Sequence, residues 1–214
     1  MDRSTERSFS PTPSKRQSLR KAALRLEYFT VAYNVIEAAA SLFFGRRAGS
    51  VALIGFGLDS LIESLSGGIL IWRLRRPPEK DAAREERLEI RAAKLVAVTF
   101  FILAAYVVFE SVRKLITAEI PERTLPGIII ALLSLLIMPF LALKKKEIGI
   151  RLESPALQAD AKETLACAFL SAALLLGLGL HYAVGIWFAD SIAALIIAVF
   201  LIKEGLETWK GEDE

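Results

Sequence analysis

Six runs of mostly apolar residues, each close to the length that crosses a lipid bilayer, divide the chain. A bilayer core of about 30 Å needs a helix of about 20 residues, because an α-helix rises about 1.5 Å per residue. Inside lipid the backbone must satisfy its own hydrogen bonds, and for runs of this length the helix does so. The sequence therefore predicts an all-α membrane protein with six transmembrane helices, at residues 28–44, 48–72, 95–112, 125–143, 155–180 and 182–202.

The six predicted spans leave little of the chain for a separate soluble domain, and the composition agrees. Of the 214 residues 54% are hydrophobic and the mean hydropathy is +0.44, both too high for an ordinary soluble domain of this length. The first residues are rich in Ser, Arg and Pro, which is typical of disorder. We expect a disordered basic arm over 1–20, a six-helix transmembrane domain over 21–206 and a short tail over 207–214. Residues 77–94 are charged at helical spacing and should extend the third span as a solvated helix.

The Lys and Arg residues are distributed unevenly between the two sides of the predicted membrane domain. Seven precede the first span, eight fall between spans two and three, four between spans four and five and two after span six, whereas the opposite side has five. An excess of basic residues marks the cytoplasmic side, so both termini should be cytoplasmic, with the plasma (inner) membrane as the expected location. The net charge of +3 then reflects topology and contact with the lipid bilayer, and no nucleic-acid partner is predicted.

Two of the predicted spans carry acidic residues at helical spacing. Asp59 and Glu63 are one turn apart in the second span, and Asp160, Glu163 and Cys167 follow the same kind of spacing in the fifth. Positions three, four and seven apart share a face of a helix. Carboxylates inside a bilayer are costly and commonly mark a path for ions or protons. Several carboxylate oxygens with one thiolate form a ligand set suited to a divalent transition metal.

The topology also places these side chains at similar depths. Counting about 1.5 Å per residue, Asp59 and Glu63 lie about 13 and 8 Å from the cytoplasmic boundary. Asp160, Glu163 and Cys167 lie about 8, 12 and 18 Å from it by the same rise. Another interpretation is that the acids are protonated and fasten helices by hydrogen bonds. Without a cation this interpretation requires several neutral acids packed together, which favours a metal site. Cys167 also suits a small buried hydrophobe.

Asp160 and three further polar positions, Asn34, Glu37 and Asp190, are secondary candidates for metal ligands. Glu37, with Asn34 three residues before it, forms either a second polar site or a helix-packing pair. Asp190 in the sixth span is either another ligand or a cap bonded to Ser191 and its neighbours. By the same rise Glu37 and Asp190 come out about 13 and 18 Å deep. His181, at the outer end of the fifth span, is predicted to be a loop histidine.

Residues 45–63 read GRRAGSVALIGFGLDSLIE, which resembles the second-helix signature of the cation diffusion facilitator transporters. In that signature a small-residue stretch with Ser-x-Ala-Leu leads to two metal ligands four apart. Residues 154–167, SPALQADAKETLAC, are similar to the family's fifth-helix motif, where Ala-Asp-Ala precedes a His and an Asp four apart. The resemblance covers nearly the whole membrane part of the chain.

The resemblance implies a four-ligand metal site of Asp59, Glu63, Glu163 and Cys167 that opens alternately to each side of the membrane. It implies proton-coupled efflux of a divalent cation by a homodimer, with Zn²⁺ as the family default. Cd²⁺, Mn²⁺ and Fe²⁺ stay open as cargo, and no resident cofactor is expected. The chain departs from the family pattern at three ligands, since Glu63 replaces an Asp, Glu163 a His and Cys167 an Asp. The family's cytoplasmic C-terminal domain is also expected to be absent, because the chain ends at Glu214.

Two other classes of function fit the same acids. One is an intramembrane enzyme that uses them for acid–base chemistry or to bind a catalytic metal. The sequence has no nucleophile motif and no His-Glu-x-x-His, which makes this class less favoured, and we expect no enzymatic activity. The other is a membrane adaptor in which the acids only hold helices together. Metal flux into vesicles would separate these from a transporter.

Overall fold

The computed structural model describes residues 13–75, 82–152 and 154–210. These residues form six α-helices and no strand, which confirms the predicted all-α architecture. Three helical stretches, Val51–Arg75, Leu125–Leu152 and Ala156–Val184, are long and apolar enough to cross a membrane by length and composition. The other three helices join an apolar stretch to charged turns. The helices are α1 Pro13–Ala48, α2 Val51–Arg75, α3 Ala82–Thr117, α4 Leu125–Leu152, α5 Pro155–Val184 and α6 Ala189–Lys210.

Most helices extend beyond the apolar runs that predicted them. The first helix starts at Pro13, so residues 13–20 are helical and not part of a disordered arm; the arm's residues 1–12 lie outside the described residues. Lys, Arg, Gln and Leu in this stretch favour helix, which lets the helix continue past the apolar run. The charged extension of α3 is helical from Ala82, and α6 takes in residues 207–210 of the predicted tail.

The boundary between the fifth and sixth helices differs from the prediction. The fifth helix continues through Tyr182 to Val184 and ends at Gly185, whose φ of 74° is left-handed and whose N–H donates to the His181 carbonyl. Glycine adopts this conformation without the cost of a Cβ, so it ends the helix here. The sixth helix starts at Ala189. The hydropathy pattern does not reveal the turn between α5 and α6, because the residues around it are apolar.

The second helix is central to the bundle. The most extensive helix pairs are α4 with α5, α1 with α2 and α3 with α6, and α2 also contacts α3, α5 and α6. A continuous apolar core fills the space between α2, α3, α4, α5 and α6, and its fully buried members include Phe56, Val107, Met138, Leu174 and Ile197. This arrangement places the acid-bearing faces of α2 and α5 against each other inside the bundle.

Two glycines of α2 allow a test of how closely α1 and α2 pack. A Cβ at Gly57 would lie 2.8 Å from the Ser41 Cβ and 3.2 Å from the Ala38 carbonyl oxygen, whereas a Cβ at Gly68 would meet nothing within 4 Å. We expect Gly57→Ala to lower the free energy of unfolding by about 1–3 kcal/mol, because neither neighbour is the end of a flexible side chain. Gly68→Ala should leave stability unchanged or slightly raised. Thermal unfolding of both variants in detergent checks this, and equal melting temperatures would contradict it.

Candidate metal site

The four predicted ligands line one small cavity in the bundle. The cavity has a volume of about 20 Å³ and lies among α2, α3, α5 and α6. That volume is enough for roughly one water-sized species. Its polar wall consists of Asp59, Glu63 and Ser66 of α2, Glu163 and Cys167 of α5, and Glu204 of α6; its apolar wall consists of Ile62, Phe100, Ala166, Leu170, Phe200 and Leu201.

Helical spacing accounts for this convergence, because Asp59 and Glu63 share one face of α2, and Glu163 and Cys167 share one face of α5. Asp59, Glu63 and Cys167 are 8%, 7% and 2% exposed, and Glu163 is half-buried. Within the described part of the chain, no three His, Cys, Asp or Glu side chains are grouped closely enough to hold a metal ion as they stand. The cavity therefore brings the four candidates together without arranging them as a coordination shell.

Two hydroxyl groups connect the acids of one helix to the other helix. The Thr164 hydroxyl donates to Glu63 Oε1 at 3.0 Å, and the Ser66 hydroxyl donates to Glu163 Oε2 at 3.0 Å. The second oxygen of Glu63, Oε2, is buried and has no hydrogen-bond partner among the described protein groups. A buried carboxylate oxygen without a donor is costly, and a cation would satisfy it. Sequence reasoning missed both hydroxyl residues.

Asp160, a secondary ligand candidate, lies outside the cavity lining and pairs with a lysine. Its Oδ2 is 2.5 Å from Lys145 Nζ, and that nitrogen is also 3.2 Å from Glu27 Oε2. All three residues are buried, with Lys145 fully so. In the sequence Lys145 is one of the basic residues between spans four and five, and Glu27 has no feature that marks it as a site residue. Their pairing depends on how α1, α4 and α5 pack, which local spacing does not reveal.

Glu37 and Asn34 form a separate buried polar cluster between α1 and α2. The Ser60 hydroxyl donates to Glu37 Oε2 at 2.9 Å. Glu37 Oε1 and both polar side-chain atoms of Asn34 have no hydrogen-bond partner among the residues described. Neither residue lines the cavity of the four candidates. The cluster adjoins the site through Ser60, the neighbour of Asp59.

Asp190 and His181 make structural contacts where α5 ends and α6 begins. Asp190 accepts hydrogen bonds from the Ser50 hydroxyl and, at 3.0 Å, from the Val51 N–H, so it caps the start of α2. Acidic side chains are favoured there because the first turn of a helix leaves N–H groups unpaired. His181 belongs to α5 and is buried, with Nε2 2.8 Å from the Pro121 carbonyl oxygen. It is therefore not the loop histidine that the sequence predicted.

Comparison with known proteins gives the family of this bundle. Residues 28–211 match the cation efflux transmembrane domain. The chain belongs to the cation efflux family. This confirms the resemblance to cation diffusion facilitators, and it makes the protein an integral, multi-pass membrane protein of a cation transporter family.

Three individual relatives are between 24% and 31% identical to this chain over the matched residues. The chain is 24% identical over 196 residues to Transmembrane protein 163 of Xenopus laevis, a match covering 91% of this chain and 69% of that protein. It is 27% identical over 174 residues to an uncharacterized transporter of Methanocaldococcus jannaschii, covering 79% and 61%. It is 31% identical over 124 residues to Metal tolerance protein 5 of Oryza sativa subsp. japonica, covering 55% of this chain and 30% of that protein. The matched part thus spans less than two thirds of the last two relatives.

Proposed function

We propose that this protein transports a divalent metal cation across the membrane through the cavity lined by Asp59, Glu63, Glu163 and Cys167. The observation that carries the proposal is the convergence of these four side chains from α2 and α5 on one cavity. The buried Glu63 Oε2, which lacks a donor among the described protein groups, adds an oxygen that a cation would satisfy. Relatives named as a transporter and as a metal tolerance protein support the same function.

Zn²⁺ is the cargo that we propose first. Three carboxylates and one thiolate provide the oxygen and sulfur donors of a four-coordinate site, with bonds of about 2.0–2.2 Å to oxygen and about 2.3 Å to sulfur. Cd²⁺ shares the affinity for sulfur, whereas Mn²⁺ and Fe²⁺ suit a site rich in carboxylates. The described acids are not grouped for coordination as they stand, so binding requires their side chains to turn inward around the ion.

We propose an efflux mechanism that exchanges the cation for protons and opens the cavity to one side at a time. Each ligand must lose its proton before it binds metal, so protons entering from outside would release the ion. The basic residues support cytoplasmic termini, and the plasma (inner) membrane is the proposed location. A homodimer is proposed on the family resemblance alone.

Reconstitution into vesicles tests the function. Purified protein in proteoliposomes should take up Zn²⁺ faster than protein-free vesicles do, and an outward proton gradient in the vesicles should increase the rate. An intramembrane enzyme or an adaptor would produce no saturable flux. Equal uptake with and without the protein would contradict the proposed function.

The proton coupling predicts a pH dependence of metal binding. Protonation removes the charge that binds the cation, so we expect Zn²⁺ affinity to fall steeply between pH 7 and about 5. Isothermal titration in buffers of different ionisation enthalpy measures both the affinity and the protons released per ion. An affinity that stays constant over this range would argue against carboxylate and thiol ligands.

A further inference from the structure

Lys145 is the one lysine in a run of three that the described structure buries completely. Its neighbour Lys144 has a side chain that is 50% exposed, whereas the Lys145 side chain has an exposure of 0%. A buried ammonium is costly unless it is paired and hydrogen-bonded. Asp160 at 2.5 Å and Glu27 at 3.2 Å supply this pairing from two other helices.

The ammonium also makes a contact that leads to the proposed metal cavity. Lys145 Nζ donates to the Thr164 hydroxyl oxygen at 3.1 Å, and the Thr164 hydroxyl lies 3.0 Å from Glu63 Oε1. The same hydroxyl is 3.0 Å from the Asp160 carbonyl oxygen of its own helix. Because the lysine can only donate, the Thr164 oxygen accepts from it, and the hydroxyl proton is available to Glu63. The hydrogen bonds thus run from Lys145 through Thr164 to Glu63.

This contact engages one oxygen of Glu63 and leaves the other without a hydrogen bond among the described groups. Oε1 is occupied by Thr164, and Oε2 has no donor among the described groups. Groups that hydrogen-bond to metal ligands orient them, and changing such a group commonly costs about 10- to 100-fold in metal affinity. Neither Lys145 nor Thr164 lines the cavity, so neither is positioned to bind the ion itself.

We propose that Lys145 and Thr164 are positioning residues of the transport site: the ammonium, anchored by Asp160 and Glu27, orients Thr164, which holds Glu63 ready to bind the divalent cation. This inference rests on the proposed transport function. It assigns Lys145, the buried lysine of α4, a role in metal affinity in addition to its pairing with Asp160 and Glu27.

Threonine variants of the full-length chain test the inference. Thr164→Val keeps the side-chain shape but removes the hydroxyl, and Thr164→Ser keeps the hydroxyl. Thr30→Val is the matched control, because the buried Thr30 hydroxyl, like that of Thr164, lies 3.0 Å from the carbonyl oxygen four residues before it, in this case that of Leu26. The measurements are Zn²⁺ affinity by titration calorimetry and the melting temperature of each variant in detergent.

We expect Thr164→Val to weaken Zn²⁺ binding about 10- to 100-fold. Its KM for Zn²⁺ flux should rise in step, with little change in melting temperature. Thr164→Ser should restore most of the affinity, and Thr30→Val should bind as the wild type does. Wild-type affinity in Thr164→Val, or an equal loss in Thr30→Val, would overturn the inference.

A lysine variant adds a second measurement. Lys145→Met should weaken Zn²⁺ binding, and adding Thr164→Val to it should weaken binding little further, because both changes interrupt the same chain of hydrogen bonds. Fully additive losses would overturn the inference. If Lys145→Met does not fold, since Asp160 and Glu27 lose their partner, the threonine variants alone decide.

Zn²⁺ binding and flux of an Asp59→Asn variant, measured beside the threonine variants, distinguish failure of this inference from failure of the proposed function. If Asp59→Asn abolishes binding while Thr164→Val does not weaken it, the transport site stands and the positioning role falls. If the wild type binds no Zn²⁺ and produces no flux, both fall.

Discussion

Asp59→Asn and Glu163→Gln should each reduce metal-dependent flux in proteoliposomes to the level of protein-free vesicles. The reason is the loss of a negatively charged ligand from the cavity, while the amide keeps nearly the same shape. In the Glu163→Gln variant the amide oxygen can still accept the hydrogen bond that Ser66 donates to Glu163 in the wild type, so α2 and α5 should stay joined. Both variants should therefore insert and fold.

The control for this prediction is an acid of the same chain on the exposed surface of the bundle. Glu147 is exposed and pairs with Lys144 and Arg151 on the surface of α4. Exposed ion pairs contribute little to stability, so Glu147→Gln should transport at the wild-type rate. Flux, together with the elution volume and helical content of each purified variant, measures the outcome. Wild-type rates in both cavity variants would show that the site lies elsewhere.

The sequence predicted that Asp59, Glu63, Glu163 and Cys167 come together because helical spacing is local information. Asp59 and Glu63 share a face in any regular helix, and so do Glu163 and Cys167. Because the second and fifth helices cross the membrane in opposite directions, the two faces lie at overlapping depths. The cavity contains all four of them. What spacing does not determine is the rotamer of each side chain, and the described acids are not arranged for coordination as they stand.

The residues that the sequence missed depend on long-range packing or carry no charge. Lys145 looks like a surface cation in the sequence, and only the approach of α1 and α5 makes it a buried one. Thr164 and Ser66 are small hydroxyl residues that are common in transmembrane helices as general hydrogen-bonding groups. Their contacts to Glu63 and Glu163 become visible only when α2 and α5 are placed together.

Asp190 shows how a boundary error changes an interpretation. Starting the sixth span at residue 182 placed Asp190 at mid-depth, close to Cys167. The helix in fact starts at Ala189, so Asp190 lies in its first turn and reaches the start of α2. The left-handed Gly185 that ends α5 causes the shift, and a hydropathy pattern does not detect it.

Cys167 is the ligand that should determine selectivity among metals. A thiolate is softer than a carboxylate, so the wild type should prefer Zn²⁺ and Cd²⁺ to Mn²⁺. Cys167→Asp makes the site all-oxygen and should shift the preference towards Mn²⁺. Cys167→Ala removes a ligand and should weaken binding of every metal. Affinities of the three metals for the wild type and both variants measure the effect.

Burial allows a competing explanation that the same measurement decides. Cys167 is 2% exposed and belongs to the apolar core as well as to the cavity wall. If it only packs, Cys167→Ala should cost little affinity, and the new carboxylate of Cys167→Asp should damage folding. An unchanged ranking of metals in both variants would remove Cys167 from the site. Because Lys145 already engages Asp160, the fourth donor beside Asp59, Glu63 and Glu163 would then be Glu204, which lines the same cavity from α6.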